Sequence, residues 1–95
     1  MANIDRGRAL IAGGLGNHRR IEMIRLLQER GNLCVNEVAA ECGIDVATAS
    51  VHAKRLHAAG LIKKRADGRR VQLYPTRRAA TLLGTLDLLF ETPAD

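Results

Sequence analysis

Apolar residues recur at helical spacing in five stretches of this chain, and Gly, Asn, Asp and Pro separate the stretches. The first, residues 4–15, sets Ile4, Leu10, Ile11 and Leu15 among charged positions. Gly13, Gly14 and Gly16 weaken its end, since a glycine in a helix interior costs about 1 kcal/mol relative to alanine. Residues 1–3 are expected to be a loose end. Asn17 has the chemistry of an N-cap, and residues 18–30 follow with a broad apolar face of Ile21, Met23, Ile24, Leu26 and Leu27, stopped by Gly31-Asn32. Residues 35–42 form a short third helix ended by Gly43. Asp45 caps the fourth, residues 46–59, and Gly60 closes it. Two short helices around a Gly-containing turn make a helix-turn-helix.

The pattern then changes period. Leu61 to Ala66 and Arg69 to Tyr74 are extended runs on either side of Asp67-Gly68, the composition of a two-residue hairpin loop. With that loop, Ile62 faces Leu73 and Lys64 faces Val71 on one side, while Lys63 faces Gln72 and Arg65 faces Arg70 on the other. The second side is polar and basic. Pro75 ends the strand and Thr76 caps a last helix, residues 77–90, whose Ala79, Leu82, Leu83, Leu86, Leu88, Leu89 and Phe90 are more apolar surface than one contact face needs. The expected fold is mainly α with a small β-hairpin, in the order α-α-α-α-β-β-α. That is a winged helix-turn-helix filling one domain over residues 1–95, with the helix-turn-helix at 35–59 and the wing at 61–74. The helices at 4–15 and 77–90 are expected to hold a homodimer through Ile4, Leu10, Ile11, Leu82, Leu83, Leu86, Leu89 and Phe90.

Composition narrows the partner. The chain has 95 residues and a formal net charge of +5, which suits a polyanion: DNA, RNA or an acidic membrane surface. Tyr74 and Phe90 are its only aromatic residues, which counts against RNA and single strands, because those ligands are gripped by stacking. The apolar run from Ala9 to Leu15 is too short to span a membrane, so the chain is expected to be cytoplasmic, with no membrane partner. The helix-turn-helix beside a basic hairpin points to double-stranded DNA, whose major groove a recognition helix fills. The outward positions of the fourth helix are Val46, Ala47, Thr48, Ser50, Val51, Lys54 and Arg55, while Ala49, Ala53 and Leu56 continue the core. Thr48 and Ser50 suit base edges or phosphates, Ala47 and Val51 suit thymine methyls, and Lys54 and Arg55 suit phosphates. The wing adds Lys63, Lys64, Arg65, Arg69 and Arg70.

Residues 15–74 resemble the arsenic-repressor (ArsR/SmtB) family without gaps. Leu15-Gly16-Asn17-His18-Arg19-Arg20-Ile21-Glu22-Met23-Ile24 is similar to the family's Leu-Ala-Asp-Pro-Thr-Arg-Leu-Arg-Ile-Leu. Leu33-Cys34-Val35-Asn36-Glu37-Val38-Ala39 is similar to its Leu-Cys-Val-Cys-Glu-Leu-Ala, and Ala47 through Ile62 carry Thr48, Ser50, His52, Leu56 and Ala59-Gly60-Leu61 of its recognition segment. The resemblance implies a homodimer on an imperfect inverted repeat, released by an inducer. Many members sense metals, but here the thiolate pair has become Cys34-Val35-Asn36 and residues 77–90 hold Asp87 and no His. No metal or cofactor is expected.

Two other readings stay open. A winged helix also serves as a protein-interaction module. Cys34, just before a helix N-terminus, is a possible redox switch. A bridge from Cys34 to Cys42 is not expected: eight residues of helix at about 1.5 Å each separate them by about 12 Å, beyond the roughly 7 Å a disulfide allows. The bland alternative for both is a small buried hydrophobe. His18 and His57 are expected at the surface, and His52 is expected to support the recognition helix by packing or a hydrogen bond. No carboxylate pair, Ser-His-Asp set or phosphate-binding loop is present, so no catalysis is expected.

Overall fold

A computed structural model of the chain describes residues 2–95. The order is α1 (Ala2–Leu15), α2 (His18–Arg30), β1 (Leu33–Cys34), α3 (Val35–Cys42), α4 (Val46–Ala58), β2 (Ile62–Asp67), β3 (Arg70–Pro75) and α5 (Arg77–Glu91). Of the expected loose end, Met1 lies outside the described residues, and Ala2 and Asn3 are already helical.

The caps explain why the other helix boundaries fall where the side chains put them. The extended Asn17 accepts from the Arg19 N–H at 2.8 Å, and Asp45 from that of Thr48 at 2.8 Å. Gly43 is left-handed (φ +67), which lets the chain reverse within three residues between α3 and α4. Thr76 begins α5 and does more than cap it. Its hydroxyl accepts from the Ala79 N–H at 3.3 Å and donates to the Gly60 carbonyl at 2.7 Å, tying α5 to the end of α4. Thr76→Ala is expected to lower stability by about 1–2 kcal/mol, read as a lower denaturant midpoint with an unchanged m-value.

The hairpin forms in a register two residues away from the expected one. Lys63 pairs with Tyr74, Lys64 with Leu73, Arg65 with Gln72, Ala66 with Val71 and Asp67 with Arg70. The loop is therefore Gly68-Arg69. Positive φ falls on Gly68 (φ +63) and not on Arg69, the φ pattern of a II′ turn with glycine first. Asp67 leaves the loop and takes the last rung opposite Arg70, a favourable charge pairing. Because the shift is even, every side chain keeps its expected face. The two-residue β1 was not expected. It pairs Leu33 with Leu73 and Cys34 with Gln72, giving the sheet order β1-β3-β2.

The core lies between α2, α4, α5 and the sheet. Met23, Ile24, Leu27, Leu56, Leu61 and Leu73 are fully buried, with Val38, Ala53, Ile62 and Leu83 around them. α1 joins this body only towards its C-terminal end, where Ile11 packs half-buried against the core. Gly14 and Leu15 are buried, whereas every residue from Asn3 to Leu10 is exposed.

Candidate nucleic-acid interface

α4 turns the expected side outward. Ala49, Ala53 and Leu56 are buried, Val46, Ala47, Thr48, Val51, Lys54 and Arg55 are exposed, and Ser50 is half-buried. Val51, 53% exposed, is an apolar side chain in open solvent at the middle of the helix. Asp45 holds the first turn with both oxygens, Oδ1 on the Thr48 N–H and Oδ2 on the Thr48 hydroxyl at 2.7 Å. These bonds keep the Asp45 carboxyl below its usual range. They also commit the Thr48 proton, so Thr48 meets an incoming group as an acceptor, better matched to a base amino group than to a phosphate. Arg55 sits at the flank of α4, in a groove shared with Ala9, Leu10, Gly13 and Gly14 of α1.

The wing carries its cations on both faces, with Lys64 on the side of Leu73 and Lys63 and Arg65 on the other. Lys63, Lys64, Arg65, Arg69 and Arg70 are all exposed. The Arg65 guanidinium lies 5.6 Å from the centroid of the Tyr74 ring, a cation–π placement across the strand pair. The Asn32 amide donates to Gln72 at 2.9 Å and fixes the base of the wing to the end of α2. Neither contact was foreseen.

Of the apolar residues expected between subunits, Ile4, Leu10, Leu89 and Phe90 are exposed, Phe90 at 93%, and Ile11, Leu82 and Leu86 are half-buried. Leu83 is a correction: at 3% exposure it belongs to the core of its own chain, because the inner stripe of α5 runs through Ala79 and Leu83. Leu88 joins the exposed set instead.

Both cysteines are free. Cys34 is buried as the N-cap of α3, its backbone N–H donating to Glu37 Oε1 at 3.0 Å. Cys42 is half-buried, and burial pushes its thiol pKa up. His18 and His57 are exposed as expected. His52 does make a hydrogen bond, to Arg20, the one buried charged residue among those described. No group of three His, Cys, Asp or Glu among the described residues is placed to hold a metal ion, and no described helix is long and apolar enough to cross a membrane.

The profile of the bacterial regulatory protein, arsR family, matches residues 17–64, which is more than half of the chain. This chain belongs to the arsR family. The family match runs from the cap of α2 through the helix-turn-helix into β2, so the arsR chain is a winged helix-turn-helix DNA-binding regulator. Solved structures extend the likeness to the rest of the fold. The homodimeric winged helix-turn-helix DNA-binding domain of a possible ArsR-family regulator from Mycobacterium bovis is 24% identical, with TM-score 0.85 over 99% of this arsR chain and 87% of that one. NolR from Sinorhizobium fredii is 19% identical, with TM-score 0.82 over 97% and 92%. The antimony-specific transcriptional repressor AntR is 19% identical, with TM-score 0.75 over 95% and 81%. No curated protein matches the arsR chain significantly.

Proposed function

We propose that this chain is a dimeric cytoplasmic repressor that reads an imperfect inverted repeat with α4 and steadies itself on phosphates with the wing. One observation carries the proposal: the small and polar side of α4 is turned to solvent in a chain whose hairpin exposes five cations, four on its strands and Arg69 in its loop. A helix with short outward side chains fits a major groove closely, and cations beside it meet the backbone. The dimer is supported by α1, exposed from Asn3 to Leu10, and by the exposed Leu88, Leu89 and Phe90 of α5. Large apolar side chains left in solvent on both terminal helices, Ile4 and Leu10 on α1 and these three on α5, support association through them. The Mycobacterium bovis domain of like fold is a homodimer, and AntR is a repressor. The proposal assigns no catalytic reaction and none of the family's usual metal sites.

The test is a titration against DNA at several salt concentrations. The half-sites are expected about one helical turn (10–10.5 bp) apart or a multiple of it. Equal affinity for every sequence would sink the repressor. Arg65→Ala and Arg70→Ala are each expected to weaken binding alike on all sequences and to reduce the slope of log affinity against log salt by about 1. A slope left unchanged by both would remove the wing from the interface.

A further inference from the structure

Arg20 reaches from α2 into the junction of α1 and α4, where it is 8% exposed. Its Nε donates to the Gly14 carbonyl at 2.7 Å, at the end of α1, and its Nη2 to the Gly13 carbonyl at 3.3 Å, which also accepts from the Gly16 N–H at 3.1 Å. Its Nη1 lies 3.1 Å from His52 Nδ1 on α4. A guanidinium has five donors and no acceptor, so the ring nitrogen must accept. His52 is therefore neutral, with its proton on Nε2. An imidazolium would set an N–H against the guanidinium and break the link.

We propose that Arg20 is a positioning residue for DNA reading: it ties the last turn of α1 to the recognition helix through an acceptor that His52 offers only as a neutral ring. The proposal rests on α4 being the helix that reads DNA. It matters because α1 otherwise meets the body only towards its C-terminal end, at Ile11, Gly14 and Leu15. The angle between a subunit-joining helix and α4 sets how two recognition helices are spaced, and that spacing decides whether both enter a groove.

The surroundings favour the neutral ring. Burial lowers the His52 pKa most, followed by the charges of Arg20, Arg55, Arg19 and the neighbouring His18. Arg20, Arg19 and His18 belong to α2 and Arg55 to α4 itself, while α3 and β2 contribute none of these and α1 offers only carbonyls to the guanidinium. With the pKa lowered on folding, the link is complete above the ordinary imidazole value and is lost as pH falls through the lowered one. Two effects of acid then oppose each other. A protonated histidine adds positive charge, which strengthens attraction to any phosphate backbone. Loss of the Arg20 link lets α4 shift, which weakens only binding that needs both helices in register.

The experiment measures, from about pH 8 to about pH 5, the affinity for two duplexes of equal length. One is enriched by the wild-type protein from a random-sequence pool, and the other is unselected. In the wild type, the ratio of the two affinities is expected to fall about tenfold with acid, within the range of coupling between sites. In His52→Asn the ratio stays level, because the carboxamide oxygen accepts at every pH. His52→Gln serves the same purpose should the first variant melt early. In Arg20→Lys the ratio is already low at high pH, since a point-like ammonium cannot serve three acceptors in a plane. A purely structural role for Arg20 would weaken both duplexes alike, with no pH signature. Nitrogen NMR of the wild-type ring is expected to show Nδ1 unprotonated at neutral pH. A protonated Nδ1, or a His52→Asn ratio that falls as the wild type's does, overturns the proposal alone. Failure of the wild type to enrich any sequence overturns it together with the proposed function.

Discussion

Leu89→Asp combined with Phe90→Asp is expected to yield a folded monomer with about 10²–10⁴-fold lower affinity for an inverted repeat. Both side chains stand in solvent, at 59% and 93% exposure, so the core of the single chain loses nothing. In a dimer the same positions bring two carboxylates from each subunit onto an apolar contact, where unpaired charge is costly. A monomer keeps one recognition helix and forfeits the effective concentration that links the second half-site to the first. Sedimentation or light scattering reads the oligomeric state, circular dichroism the fold, and a titration against one half-site and the full repeat the affinity. A variant that stays dimeric would show that α5 does not hold the subunits. A monomer with undiminished affinity for the full repeat would show that dimerisation does not serve binding.

Gly14→Ala and Gly13→Ala, one residue apart, are expected to act in opposite directions. A methyl group on Gly14 would overlap the Ala59 methyl group and sit 3.5 Å from Leu61, because here α1 rests directly on the end of α4. Neither neighbour can swing aside, as Ala59 has no rotamer and Leu61 is fully buried. Overpacking of this kind costs about 1–3 kcal/mol, and lifting α1 also pulls the Gly14 carbonyl from Arg20. The Cβ of Gly13→Ala meets nothing within 4 Å and lies in a helix, so that variant gains about 1 kcal/mol of helix propensity. Denaturant midpoints of both against the wild type check the pair. Equal signs would mean that the two helices do not touch at Gly14.

The contrast shows what was legible in the sequence. Gly13, Gly14 and Gly16 read alike as helix-weakening residues, because propensity acts on one residue at a time, whereas the close approach of α1 to Ala59 involves residues far apart in the chain. Caps are local, so α2 and α4 begin directly after Asn17 and Asp45, the side chains read as their caps. β1 has two residues, too few for any period, and exists only because Leu73 and Gln72 are there to pair with it. The hairpin register differs because Asp-Gly and Gly-Arg are both chemically adequate loops, so composition alone does not choose between them. The outward side of α4 was legible because Ala49, Ala53 and Leu56 follow a 3.6-residue period. Leu83 and Arg20 were not. An apolar residue on a helix that is apolar nearly all round does not declare which neighbour covers it, and nothing local marks an arginine for burial between two other helices.

The sheet order β1-β3-β2 leaves one side of β2 without a partner strand. An open row of backbone donors and acceptors invites end-to-end stacking of chains into fibres, and lysine and arginine along such a border repel the next copy. Lys63, Lys64 and Arg65 occupy this border. Removing several of them at once would therefore compromise solubility in concentrated solution, whatever it did to nucleic-acid affinity.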